Sequence, residues 1–106
     1  MTAGYKTQIA GILKAAARIE EKTRGLSREN FLLDPAAVCA VQDDLSRIGK
    51  AVADLPEKIR QRYPAIDWAT WSGIGSPGRD TLWDLVVQRV PAFGEQVNRI
   101  FLDITD

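Results

Sequence analysis

A chain of 106 residues, 45% apolar and 26% charged, has the size and composition of one globular domain. Its 14 basic and 14 acidic residues give a formal net charge of zero, which argues against a dedicated non-specific nucleic-acid binder. The chain has no histidine, which excludes histidine-based acid–base catalysis and most zinc chemistry, and its single cysteine excludes an intrachain disulfide.

The first half of the chain predicts two long helices. Apolar residues recur at helical spacing over about residues 3–24, and Gly25 fits the position that ends a helix. Ser27 would cap a short turn that runs to Leu33, and Asp34 followed by Pro35 is a start signal for the second long helix. The apolar residues of this second helix alternate at spacings of three and four: Val38, Val41, Leu45, Ile48, Val52 and Leu55. Such a seam requires a partner helix, from this chain or from a second subunit, and together with Trp83 it suggests self-association as a two-fold dimer.

The second half predicts shorter elements. Pro56 ends the second long helix, and a short helix over 57–62 follows. Next come an aromatic stretch over 63–71, in which Asp67 is expected to cap a single turn, and a loop over 73–78. The chain then continues with a helix over 81–90, a kink or restart at Pro91 and a final helix. The final helix carries Phe93, Val97, Ile100, Phe101 and Ile104. No segment alternates with period two, so we predict an all-α fold, a four- to five-helix up-and-down bundle formed by residues 1–106 as one domain.

Three features that suggest chemistry have simpler explanations. The segment Gly73–Gly78 spells G-x-G-x-x-G, but no strand precedes it, and a tight interhelical loop explains it better than a dinucleotide site. Cys39 has no histidine to activate it, so we expect a partly buried structural thiol. The acidic pairs Glu20–Glu21 and Asp43–Asp44 point in directions about 100° apart on a helix, so we expect solvated faces and no metal site.

Five residues are candidates for binding. Arg62 and Arg79 belong to a set of basic residues that could contact phosphate, although so few charges usually form only a soluble face. Trp68 and Trp71 could stack bases or line a nucleotide pocket, whereas large aromatic residues more often lie in a core or an interface. Trp83 is expected to take part in a dimer or partner interface.

The order of several segments resembles the HepT-like proteins of the HEPN superfamily, small helical bundles encoded beside minimal nucleotidyltransferases. The resemblance extends from about Gln8 to Phe101. The resemblance rests on the segments 18–26, 31–38, 45–51 and 55–60, on Tyr63-Pro64-Ala65-Ile66-Asp67-Trp68, and on Trp83 with Val90-Pro91. The resemblance implies the HEPN type of bundle.

The chain departs from this family where the family's chemistry lies. There, an arginine and a histidine in an R-x4-6-H motif, paired across a dimer, cleave RNA, and a nearby tyrosine can receive AMP from the partner. Aligned without gaps, Gly75 stands at the arginine position and Asp80 at the histidine position, and the segment before Trp83 is about eight residues short and lacks the tyrosine. Arg79 is the one possible substitute, but it has no histidine partner.

The resemblance therefore implies a catalytically degenerate HepT-like protein with no catalytic residues, which acts through protein–protein interaction. The implied partners are a minimal nucleotidyltransferase, a HepT-like toxin or a second copy in a homodimer, as in a toxin–antitoxin pair. A divergent ribonuclease toxin and a nucleotide-binding bundle stay open as alternatives. We expect no cofactor, no metal, no membrane span, weak RNA contact at most and a cytoplasmic location.

Overall fold

The computed structural model describes residues 3–75 and 77–104, and within them it is helical with no strand, which confirms the all-α prediction. Side chains are described for residues 6–75 and 77–103. The helices are α1 (Ala3–Thr23), α2 (Arg28–Leu32), α3 (Pro35–Asp54), α4 (Glu57–Arg62), α5 (Trp68–Ser72), α6 (Arg79–Asp84) and α7 (Val90–Ile104). A π-helical segment, Leu85–Arg89, joins α6 to α7 without a break. The fold therefore has three long helical units, which are α1, α3 and the run from α6 to α7, with three short helices between them.

Local signals in the sequence set the ends of several helices. The Ser27 hydroxyl accepts from the Asn30 backbone N–H at 3.1 Å, and the Asp34 carboxylate accepts from the N–H groups of Ala36 and Ala37. Gly25 follows α1 with a φ of 79°, a left-handed conformation that glycine adopts without steric cost. The predicted caps at Ser27 and Asp34 and the predicted end at Gly25 are thus confirmed.

The apolar seam of α3 is buried within this chain. Helix α1 packs most extensively on α3 and next on α7, and all six seam residues are at most 4% exposed. The partner of the seam is therefore α1, together with the rest of the core. The seam no longer supports self-association, because none of its surface is left for a second subunit.

An aromatic cluster fastens α5 to the last helix. The ring of Trp71 stacks on that of Phe93 with centroids 4.3 Å apart, and Trp68 meets the same ring edge-on at 6.1 Å. On its other side α5 lies against α3 at Gly49, where an added Cβ would be 3.0 Å from the Trp71 carbonyl oxygen. Gly49 therefore permits a close approach that holds the aromatic cluster on α3.

Pro91 does not restart the last helix, which continues through it. The Val90 N–H bonds the Leu85 carbonyl, an i to i−5 bond that widens the helix just before the proline. A proline inside a helix removes one N–H donor and crowds the carbonyl four residues earlier, here that of Val87. The wider turn accommodates this crowding, so the run stays helical from Arg79 to Ile104.

None of the helices in the described part of the chain combines the length with the apolar character needed to cross a bilayer.

Candidate functional site

The glycine-rich segment forms the connection between α5 and α6. Its Ser76 lies outside the described residues. Gly75 is exposed and has a φ of 55°, a conformation in which any side chain is strained. The Gln42 side-chain amide of α3 donates to the Pro77 carbonyl at 2.9 Å and anchors the loop. The backbone of the loop thus favours glycine at the position where the resemblance implies arginine. No strand precedes the loop in residues 3–75, so it is not the glycine-rich turn of a dinucleotide fold.

Arg79 and Asp80 are the first two residues of α6, and both are exposed. Within residues 3–75 and 77–104, neither side chain makes a hydrogen bond or an ion pair. A catalytic pair requires two groups aimed at one reacting atom, with each held in place by its surroundings. These two side chains are not held in this way.

The tryptophans of α5 lie inside the core. Trp68 is 7% exposed and Trp71 is 3% exposed, and the Trp68 indole N–H donates to the Tyr63 carbonyl at 3.0 Å. Both rings already face Phe93. They leave no open aromatic face on which a base could stack, and we do not propose a nucleotide pocket there.

Trp83 lies on α6 at the edge of an apolar groove. It is half-buried, and its ring lies 5.4 Å from that of Phe31. The groove, with a volume of about 470 Å³, runs between α1 and the π-helical segment; Leu13, Ala16 and Val87 are among its lining residues. Val87 is 44% exposed and adds an accessible apolar side chain to this groove. Trp83 thus adjoins the kind of surface on which another protein could pack.

Arg62 lies at the end of α4, beside the C-terminal part of α7. Its guanidinium is 5.8 Å from the Tyr63 ring and 3.9 Å from the Asp103 carboxylate, to which the Tyr63 hydroxyl donates at 2.6 Å. These side chains border an open groove of about 690 Å³ that also includes Arg99 and Leu102. No hydrogen bond, ion pair or ring contact joins Arg62 to Arg79 or to a tryptophan in the described residues, so the five candidates do not converge on one site.

A charged cluster that was not expected from the sequence lies between α1 and α3. Asp44 is completely buried, although we expected a solvated acid. Its carboxylate accepts from Arg18 Nε at 3.1 Å, from Lys22 Nζ at 3.2 Å and from Arg47 Nη1 at 3.1 Å. One signal was available, because Asp44 lies three residues after Val41 and four before Ile48 and so flanks the buried stripe of α3.

The acid Asp67 has a structural role at the start of α5. Asp67 caps α5, and hydrogen bonds from the Thr70 hydroxyl at 2.6 Å and the Thr70 N–H at 3.3 Å lower the pKa of Asp67 below its ordinary 3.8.

Cys39 is exposed, so the expectation of a partly buried thiol was wrong; it lies on the outer side of α3, away from the seam. In the described residues no three acidic or cysteine side chains cluster in a way that could hold a metal ion.

Comparison with known proteins connects this fold to a family. Residues 12–75 match the family model described as Ribonuclease HepT-like. The chain is 28% identical over 101 residues to a protein of Caldanaerobacter subterraneus named "Putative RNase", covering 84% of this chain and 87% of the relative. A protein of Methanocaldococcus jannaschii with the same kind of name is also 28% identical over 101 residues, covering 88% of this chain and 84% of the relative.

A third relative, named "Probable ribonuclease HepT" in Thermococcus cleftensis, is 34% identical over 68 residues, which are 64% of this chain and 62% of that protein. No solved structure matches the chain significantly. The family match begins inside α1, extends through α2, α3, α4 and α5 and ends in the loop at Gly75.

Proposed function

Because this chain belongs to the HepT-like family, we propose that it is a member that does not cleave RNA and acts by binding another protein. One observation carries the proposal. Where the sequence resemblance, aligned without gaps, places the family's arginine and histidine, this chain has Gly75 and Asp80, and it has no histidine at all. The helical scaffold is intact around these positions, and a fold can persist when its site is lost.

The chemistry of phosphodiester cleavage supports this proposal. Cleavage needs a group that transfers a proton and a cation that stabilises the negative charge of the transition state. Gly75 supplies neither, and its left-handed backbone disfavours any larger side chain. Asp80 places a negative charge near an anionic substrate, and Arg79 has no described side-chain partner to hold it in position. The remaining groups are thus unsuited to the reaction.

The apolar groove between α1 and the π-helical segment supports a binding role. It joins Trp83, Leu13 and the exposed Val87 on one surface. An apolar surface of this kind is typical of sites where proteins associate. The partner that we propose is a second copy of this chain, a minimal nucleotidyltransferase or an active HepT-like protein, in the manner of a toxin–antitoxin pair.

A cleavage assay tests the loss of catalysis. Purified protein is incubated with labelled single-stranded RNA without divalent metal, and we expect the RNA to stay intact over hours. Cleavage that co-purifies with the protein and disappears in the Arg79→Ala variant would contradict the proposal.

A groove variant tests the binding role. The tagged chain and its Val87→Arg variant are expressed in the native host, and the molar mass of each purified species is measured by light scattering. We expect a homodimer, or a stoichiometric complex with one of the proposed partners, for the unchanged chain and a monomer for Val87→Arg. Leu33→Arg is the matched control, because Leu33 is also exposed but lines neither this groove nor the groove beside Arg62. A monomer without a partner in all three preparations would refute the binding role.

A ribonuclease toxin is the second candidate function, because the relatives above carry ribonuclease names. In this chain such an activity would have to use Arg79 with a group other than histidine. It predicts growth arrest when the chain is expressed, and relief of that arrest by Arg79→Ala. Normal growth at high protein levels would exclude this candidate.

A further inference from the structure

The charged cluster around Asp44 has more positive charge than the buried carboxylate needs. Three cations surround this one anion, which leaves two positive charges in excess. Asp44 is completely buried, whereas the side chains of Arg18, Lys22 and Arg47 are 43%, 38% and 64% exposed. The excess charge is therefore at the surface, where solutes can reach it.

The cations keep hydrogen-bond donors for a ligand. Each of them gives a single nitrogen to Asp44: Arg18 its Nε, Arg47 its Nη1 and Lys22 its Nζ. A guanidinium carries five N–H donors and an ammonium three, so most donors of the cluster do not point to Asp44. Arg18 and Arg47 bond the same carboxylate oxygen, so their guanidinium groups meet at that atom.

In the described residues, no acid other than Asp44 forms an ion pair with the three cations. Glu21 and Asp43 are exposed on the same helices, and within the described residues neither forms an ion pair. Glu20 pairs with Arg24 at 3.8 Å, away from Asp44. The buried carboxylate of Asp44 therefore holds the three cations in place. This reduces the side-chain conformational entropy that the cations would lose when a ligand binds.

We propose that Arg18, Lys22 and Arg47 form a binding site for a phosphate monoester. A monoester carries a charge of about −1.5 to −2 at pH 7, which matches the excess of two positive charges, and it offers three oxygens to adjacent guanidinium groups. A diester within a nucleic-acid strand carries a single negative charge and matches less well. Two sources share this chemistry, a free nucleotide and the phosphorylated end of an RNA.

This site is separate from the proposed partner surface and from the degenerate motif. Gln42, which anchors the loop of the motif, and Asp44 lie two residues apart on α3 and so project about 200° apart around the helix. None of the three cations lines the apolar groove. The site therefore does not depend on the proposed protein-binding function, and either can fail alone.

Fluorescence anisotropy with short RNA probes tests the proposal. Two ten-nucleotide RNAs of one sequence, labelled at the 3′ end, carry either a 5′-phosphate or a 5′-hydroxyl; AMP and inorganic phosphate serve as competitors. We expect the phosphorylated RNA to bind about tenfold tighter, since charge-assisted hydrogen bonds of this kind are worth about 1.5 kcal/mol or more. The Arg47→Gln variant should lose this difference, and Arg47 is chosen because it is the most exposed of the three.

The matched control is Arg24→Gln on α1, because Arg24 pairs with Glu20 and has no contact with Asp44. Circular dichroism confirms that both variants fold. If AMP binds as tightly as the phosphorylated RNA, the ligand is a free nucleotide; if the RNA binds tighter, the ligand is a chain end, and both results support the site. Equal affinity for both RNAs combined with no AMP binding, or a preference that survives Arg47→Gln, would overturn the proposal.

Discussion

A buried carboxylate such as Asp44 costs several kcal/mol to desolvate unless cations and donors surround it. Its neighbour Asp43 is exposed, although the two look alike in the sequence. The sequence analysis expected both acids on solvated faces, and the burial of Asp44 depends on α1, which lies across it and supplies Arg18 and Lys22. A single-helix pattern cannot show which residues of another helix arrive there.

Replacement of Asp44 by alanine is expected to lower the free energy of unfolding by about 2 kcal/mol, because three cations would then repel one another around an empty position. The value is at the low end for a buried ion pair, since the cations are partly exposed and can turn to water. Urea unfolding followed by circular dichroism measures it. Asp43→Ala is the control and should change the same quantity by less than about 0.5 kcal/mol; equal effects would show that the cluster adds nothing.

Asp67 gives the chain a pH dependence of known sign. Its pKa in the folded protein is lowered below 3.8 by the Thr70 hydroxyl and backbone N–H. It therefore stabilises the fold above pH 3.8 and loses this contribution as the pH falls from 3.8 through the lower folded value. We expect the melting temperature of the unchanged chain to fall more steeply below pH 4 than that of Asp67→Asn, which keeps a cap but does not titrate. Parallel pH profiles would contradict the assignment.

At the scale of helices, the sequence predicted where helices begin and end better than it predicted which helices pack together. The signals at Ser27, Asp34 and Gly25 act within a few residues, and the structure confirms them. The π-helical segment was not foreseen, because its widened hydrogen bond depends on how the last helix accommodates Pro91 as well as on local propensity. The loop at Gly73–Gly78 was predicted correctly from its glycines, apart from Ser76, which lies outside the described residues.

The contact between α3 and α5 can be tested with one methyl group. Gly49→Ala would place a Cβ 3.0 Å from the Trp71 carbonyl oxygen and 3.1 Å from a methyl of Ile74. We expect a loss of about 1–3 kcal/mol in the free energy of unfolding, because the backbone must move apart. Gly11→Ala on α1 meets no atom within 4 Å and should instead stabilise by about 0.5–1 kcal/mol. Denaturant titration of both variants separates packing from helix propensity.

At the scale of the whole molecule, the buried apolar residues of the described part of the chain form one core. The α3 seam was correctly predicted to need a partner, but spacing alone could not say whether that partner was α1 or a second subunit. For the same reason the candidate site residues do not lie together. Trp68 and Trp71 pack inside the core against Phe93, whereas Arg79 is exposed to solvent. Which residues meet depends on tertiary packing, which is absent from local patterns.

A single core predicts a single unfolding transition. Trp71 stacks on Phe93 of α7, and Trp83 contacts Phe31 of α2, so tryptophan fluorescence reports on two separate parts of the core. We expect fluorescence and far-ultraviolet circular dichroism to give the same urea midpoint. Phe93→Ala should lower the free energy of unfolding by about 3–5 kcal/mol and so move that midpoint to a lower urea concentration without splitting it. Separate midpoints would mean that the last helix unfolds on its own.

The π-helical segment has a consequence for changes in chain length. A π turn closes its hydrogen-bonded ring with one more residue than an α turn, so the helix carries a spare residue between Leu85 and Arg89. In a Pro91→Ala chain, which no longer needs the wider turn, deleting Gln88 would convert this turn into an ordinary α turn and keep Leu82 and Phe93 on the buried side. The same deletion in α3, at Ser46, would rotate Ile48 by about 100° out of the core. Once Pro91 is replaced, this chain can therefore shorten by one residue in its last helix at a cost that its other long helices could not match.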